Sequence, residues 1–315
     1  MKIRRFCIIS LSSFFVLLVV ASCASSPKGQ GPGQSLGQSD TDFASLPTGG
    51  LVYFLIDVNK ARPIMNHISL GGLNGKQAQS ILKKVNYISG AMFPAGAPQR
   101  IIAHAWRLKG NLPGGAGLSF SSRWKKTGAR GKTYWHSDKD GLSVALKKGD
   151  AYVSDKNPFP DTPPIAVPDK LADLRFEAVL LGWLEDAGSQ INRFLSTTGL
   201  PMQIPTQQVF FAVSESQTAD DDDAPSSGPG PLYRIAIRVE TQSESQAKAL
   251  ATLLSYVRVF TETPNLNMEE GFLEILKPLL ANPPSQEGTD LWLRTGAMNA
   301  ERVALLFSGF SVYSR

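Results

Sequence analysis

The chain is expected to fold as an α+β protein, a mostly antiparallel sheet packed by amphipathic helices in two related-looking halves. Three observations point there. Apolar, β-prone runs recur along residues 51–315, stretches with helical spacing lie among them, and no strict strand–helix–strand rhythm links them. A Pro-rich crossing at 158–171, with Pro158, Pro160, Pro163, Pro164 and Pro168, separates a first half at 51–157 from a second at 172–315. Both halves pair apolar strands with an amphipathic helix, although no sequence identity between them proves a duplication.

Residues 51–57 are an apolar run with the length of a strand buried on both faces. At 76–93, Ala78, Ile81, Leu82, Val85, Ile88 and Met92 fall at helical spacing and predict an amphipathic helix. A second strand is expected at 100–108. Short strands should follow within 132–154, around turns at 137–141 and 148–150, with Asp140-Gly141 suited to a hairpin. In the second half, Phe176, Val179, Leu180, Trp183, Leu184, Ile191 and Phe194 predict a long helix over 172–196. Strands are expected at 208–214 and 232–240. The latter alternates, with Tyr233, Ile235, Ile237 and Val239 on one face and Arg234, Arg238 and Glu240 mainly on the other. A helix over 243–260 opens with a capping box, Ser243 followed by Gln246. Another helix is expected at 268–281, ending before Pro283-Pro284, then a strand at 290–295 and a helix at 299–307.

Composition narrows the function classes. The chain has 315 residues, 32 Lys+Arg, 27 Asp+Glu, 3 His and 2 Cys, with 42% hydrophobic and 19% charged residues, which is globular and not disordered. Two cysteines exclude a disulfide-stapled scaffold and a Cys-based zinc finger, and three scattered histidines leave little for a metal site. No cofactor and no metal are expected. A body of about 265 residues is large enough to bury its own core.

The N-terminus carries the most specific signal. Lys2, Arg4 and Arg5 precede an apolar run at 6–20, broken only by Ser10, Ser12 and Ser13, and the run ends in Val20-Ala21-Ser22-Cys23. This run is shorter than the roughly 20 apolar residues of a membrane-spanning helix and ends in small residues, as a cleaved export signal does. Val20-Ala21-Ser22-Cys23 resembles the lipobox of bacterial lipoprotein precursors: aliphatic, small, small, cysteine. The resemblance covers residues 1–23 and implies that the signal, 1–22, is removed and that Cys23 becomes the acylated first residue. It places the chain in the cell envelope, its partner there being the lipid bilayer. Ala24 stands where an Asp would favour inner-membrane retention in the enteric sorting scheme, so the outer membrane is the expected site. Two or more acyl chains give stable anchoring, at about 0.8 kcal/mol per buried methylene.

Removing 1–22 takes three basic and no acidic residues, leaving 29 basic against 27 acidic, a balance of +2. That argues against nucleic acid as a partner. It also removes Cys7, so the lipidated body keeps no free thiol. Residues 23–50, rich in Gly, Ser, Gln and Pro, are expected to be a flexible tether with a reach of roughly 30 Å.

The linear motifs of the body point away from catalysis. Ser122-Arg123-Trp124-Lys125 fits S-x-x-K and Lys126-Thr127-Gly128 fits K-T-G, the signatures of serine β-lactamases and penicillin-binding proteins, but those elements lie far apart in such enzymes and here they touch. The stretch from Gly128 to Thr133 ends like a phosphate-binding loop, yet strand-like residues follow it where a helix is needed. The same segment gathers Arg123, Lys125, Lys126, Arg130 and Lys132 beside Trp124, Tyr134 and Trp135. These residues are candidates for contact with an anionic membrane or glycan surface, against the plainer expectation of a solvated loop with its aromatics packed inward. Four aspartates at 220–223 lack the alternation of an EF-hand and suit a solvated insertion. His67, His104 and His136 are isolated, and Glu185 and Asp186, being adjacent, make a poor acid–base pair. No catalytic residue is assigned. The expected role is a non-enzymatic binding, scaffold or assembly module of the envelope, acting on another envelope protein. The alternatives are a carrier of lipid or another apolar ligand, and an envelope enzyme without a linear motif.

Overall fold

Strands dominate the described residues. A computed structural model describes residues 43, 45–68, 79, 82–93, 103–112, 124–129, 131–139, 141–155, 165–175, 177–189, 192, 205–216, 230–262 and 277–313. The expectations for the signal segment, Cys23, Arg123, Arg130 and the aspartates at 220–223 lie outside these residues. The described elements are mostly antiparallel strands with a few helices, an α+β architecture. They fall into two compact units, Met1–Val167 and Pro168–Arg315.

In the first unit, β1 (Val52–Asp57) leads into helix α1 (Val58–Met65), then β2 (Val85–Phe93), β3 (Ala103–Gly110), β4 (Lys125–Ala129), β5 (Lys132–Ser137), β6 (Leu142–Lys147) and β7 (Asp150–Ser154). The spatial order is β1-β2-β3-β7-β6-β5-β4, every neighbour antiparallel. Asp57 ends β1 and starts α1, its Oδ1 accepting from the amides of Asn59 and Lys60 at 3.0 and 3.3 Å. The turn expected at 137–141 is present: the Gly141 amide donates to the Ser137 carbonyl, and Gly141 has φ +65°, a conformation glycine adopts without steric cost. Gly90 answers a different need. It pairs with Phe54 on one side and Trp106 on the other, and a Cβ there would sit 2.3 Å from the Phe54 ring, which packs edge-on against Trp106.

Two of the predicted helices are strands over much of their described length; of the described residues within 172–196 only 187–189 and 192 are α-helical, and Phe176, Ile191 and Phe194 lie outside the described residues. Val85, Ile88 and Met92, expected within a helix at 76–93, lie on β2; only positions 79 and 82 there are helical among the described residues. Val179, Leu180, Trp183 and Leu184, expected within a helix at 172–196, lie on β8 (Ala178–Leu184), preceded by a 3₁₀ turn at Asp169–Leu174 and by Glu177 at φ +59°. The cause is shared. In β2, Ile88, Ser89, Gly90 and Ala91 are buried consecutively, and β8 is buried at nearly every position. A strand covered on both faces loses its two-residue alternation, so its apolar spacing can match a helix by accident.

In the second unit, β8 is followed by β9 (Val209–Ser216), β10 (Leu232–Glu240), helix α2 (Glu244–Glu262), β11 (Ser285–Glu287), β12 (Asp290–Arg294), β13 (Met298–Asn299) and helix α3 (Ala300–Tyr313). The order is β8-β9-β10-β12-β11, and β13 pairs with the far end of β10. Between β12 and β13, Thr295 keeps the edge of β10 satisfied: the Ile235 amide donates to Thr295 Oγ1 at 2.9 Å and the Thr295 amide returns to the Ile235 carbonyl. Helix α2 begins with the expected cap. The Gln246 amide donates to Ser243 Oγ, and Gln246 Oε1 reaches back to the Gln242 amide. Its apolar side packs Leu250, Ala251, Leu253 and Leu254 against Val209, Ile237, Val239 and Leu291 of the sheet. Of the helix expected at 268–281, only 277–281 is described, and 277–280 is helical.

One departure concerns the N-terminal arm. Phe43 and Leu46, within the stretch expected to be a flexible tether, are 1% and 3% exposed. The Leu46 amide donates to the Phe43 carbonyl, Arg107 Nη1 donates to Ser45 Oγ, and the Tyr53 hydroxyl donates to the Pro47 carbonyl while accepting from the Gly50 amide. Burying one Phe and one Leu contributes roughly 1.5–3 kcal/mol each, enough to hold a short arm on the first unit.

Candidate functional site

The basic segment singled out in the sequence forms the β4–β5 hairpin, at the end of the first unit's strand order. Cross-strand pairs Lys125–His136, Thr127–Tyr134 and Ala129–Lys132 share one face, whereas Lys126 pairs with Trp135 on the other. The described lysines therefore do not form one patch. Lys125, Lys126 and Lys132 are exposed, while Trp124 and Trp135 are buried, so the aromatics pack inward beneath the charges. Lys125 Nζ donates to Asp138 Oδ2 at 2.5 Å. That hydrogen bond and the carboxylate charge raise the Lys125 ammonium above its ordinary value and hold the Asp138 carboxyl below its own. His136 contacts Asp138 through Nε2 at 3.4 Å and Ser143 Oγ through Nδ1 at 3.0 Å. Lysines on a terminal strand also blunt its capacity to pair with another chain.

A second constellation was invisible in the sequence. Arg238, expected on a polar face of β10, is buried beside its strand partners Phe210 and Trp292. Its Nε and Nη2 donate to Asp290 Oδ2 at 3.1 and 2.6 Å, and its Nη1 to Asp173 Oδ2 and to the Lys170 carbonyl. Lys170 Nζ completes the cluster, donating to Glu240 Oε1 at 2.7 Å and Asp290 Oδ1 at 3.0 Å. The guanidinium carbons of Arg238 and Arg294 lie 5.2 and 4.3 Å from the centre of the Trp292 ring. Burial works to lower both Lys170 and Arg238, but hydrogen bonds and carboxylate charge outweigh it and leave both above their ordinary values. The usable signal was position: Arg238 and Glu240 share a face, and Asp290 opens a strand that pairs with them.

Other candidates have structural partners. His104 stacks on Trp106 and lies 3.4 Å from Asp155. Glu185 is not on a helix but on the turn after β8, where it accepts from Trp183 Nε1 and Gln208 Nε2; Asp186 accepts from Ser189 Oγ. Among the described residues no group of three or more His, Cys, Asp and Glu is placed to hold a metal ion. A small hollow between the arm, at Ser45, Leu46 and Pro47, and Trp106, Tyr152 and Ser154 has room for about one water, too little for an acyl chain. Helix α2 presents Tyr256 and Val259, 62% and 60% exposed, on its outer side. Among the described residues no helix is long and apolar enough to cross a membrane.

This geometry defines a sheet-rich α+β chain, and solved structures share that fold. Crystal form III of TP0453 superposes with a TM-score of 0.53 at 14% identity, covering 89% of this chain and 99% of that one. Crystal form IV gives 0.52 at 16% identity over 85% and 96%, and crystal form I gives 0.51 at 15% over 87% and 98%. At such identities the likeness shows the fold alone. No protein-family model and no curated protein matches the chain.

Proposed function

We propose that this protein is a lipid-anchored envelope lipoprotein whose α+β body serves as a non-enzymatic binding, scaffold or assembly module. The observation that carries the reading is the cysteine of Val20-Ala21-Ser22-Cys23, at the end of a short apolar run with a basic start. Acyl chains on Cys23 hold the protein to a bilayer, and Ala24 favours the outer membrane. The body supports a contact role in two places. Helix α2 offers exposed Tyr256 and Val259. The terminal hairpin offers exposed Lys125 and Lys132 on one face to an anionic surface, and Lys126 on the other, with Arg123, Trp124 and Arg130 adjoining them in sequence.

Palmitate labelling of the full chain in a bacterial host, with Cys23→Ala as the control, tests the anchor. Incorporation lost in the variant, together with a shift of the protein from the detergent phase to the aqueous phase, is the expected result. Equal labelling of both chains overturns the proposal.

A further inference from the structure

We infer that the 3₁₀ turn Asp169–Leu174 is a releasable ionic strap on the second unit. The turn lies on the sheet face that carries Trp183, Phe210, Arg238 and Trp292, four residues aligned across β8, β9, β10 and β12 by direct strand pairing. Its place on that face follows from Arg238, whose side chain reaches Asp173 Oδ2 and the Lys170 carbonyl. The opposite face is the one packed by α2 through Val209, Val239 and Leu291. The turn packs on β8 and β9 and is bonded by Lys170 to β10 and β12.

The partition of the charges makes release feasible. Arg238 and Asp290 satisfy each other within the sheet through two hydrogen bonds to one carboxylate oxygen. When the strap leaves, neither of these two buried charges is stranded, which is the outcome that ordinarily makes breaking a buried ion pair prohibitive, and Glu240, its side chain 20% exposed, exchanges Lys170 for water. Lys170 and Asp173 are the strap's own contributions, and their side chains are 33% and 63% exposed, so water can solvate both as they detach. Among the described residues of the turn, the buried apolar side chains are Leu171 and Leu174. The turn has little regular structure of its own: Pro168 at its N-cap makes no side-chain cap bond, and the Leu171 and Arg175 amides close only three-residue turns to Pro168 and Ala172. Detachment frees Asp169–Leu174 from the sheet and uncovers the β8 and β9 end of the Trp183–Phe210–Arg238–Trp292 row.

Native-state hydrogen exchange of the full chain tests the strap. Exchange at Leu171 and Arg175 should occur by local opening, at least about tenfold faster than at Phe210 and Ile235, and should stay insensitive to low denaturant. Lys170→Met and Asp173→Asn should each speed exchange at Leu171 and Arg175 about tenfold while leaving β9 and β10 unchanged. If the strap amides exchange only with global unfolding, the inference is overturned. It is equally overturned if the substitutions leave the strap unaffected, or accelerate strap and sheet alike. Should a variant fail to fold, the wild-type exchange profile decides by itself.

Discussion

The ion pair Lys125–Asp138 on the terminal hairpin and the pair Arg238–Asp290 in the second unit are built from the same chemistry and placed in opposite environments. The side chains of the first are 73% and 63% exposed; those of the second are 10% exposed each. The exposed pair has the shorter hydrogen bond, at 2.5 Å against 2.6 and 3.1 Å. Distance is nevertheless the wrong guide to importance. In water, either partner of the exposed pair is resolvated when the other is removed, and such pairs contribute little. In the sheet, the survivor is left without solvent, and the cost of stranding it exceeds the value of the pair itself.

Substitutions sharpen that contrast, beginning with the largest effect. Arg238→Met removes every donor to Asp290 except Lys170 and should destabilise the second unit by about 3–5 kcal/mol in denaturant unfolding. The double variant Arg238→Met/Asp290→Leu should recover most of that loss; if it does not, the stranded-charge account is wrong.

Alkaline titration gives a smaller, graded effect. Burial, helped by the charge of Glu215 across the strand pair, pushes the Tyr233 phenol up to about 12 from its ordinary 10.0. Between these values the unfolded chain has lost the proton and the native chain keeps it, so stability is complete below pH 10 and falls as pH rises toward 12. The loss amounts to roughly 3 kcal/mol, and Lys170, also raised, acts in the same direction within this window. Unfolding of Tyr233→Phe measured across that window should show a shallower decline, and an unchanged slope would contradict the assignment. At the small end, Lys125→Gln should leave the thermal midpoint where it is; a clear drop would mean that the hairpin pair matters to the fold after all.

Part of this organisation was legible in advance. The strand at Leu232–Glu240, the cap at Ser243 and Gln246, and the turn closed by Gly141 each rest on local rules that the folded chain obeys. β2 and β8 escaped because burial on both faces erases alternation, and their identity depends on partners distant in the chain. Arg238 escaped for a related reason. A charged residue between Ile237 and Val239 announces a solvated face, and only the fold shows that Lys170, Asp173 and Asp290 come to meet it. Phe43 and Leu46 were visible as large apolar residues in a polar stretch, but the composition around them outweighed two side chains.

Those two side chains alter how the molecule carries load. A pull along the N-terminal segment meets the Phe43 and Leu46 staple, and the Pro47 carbonyl held by the Tyr53 hydroxyl, before the backbone of β1 takes it end-on. The staple works as a strain relief on a cable: a weak tug is shared sideways through Arg107 and Tyr53, and the arm must be peeled away before the backbone of the first strand bears tension along its length.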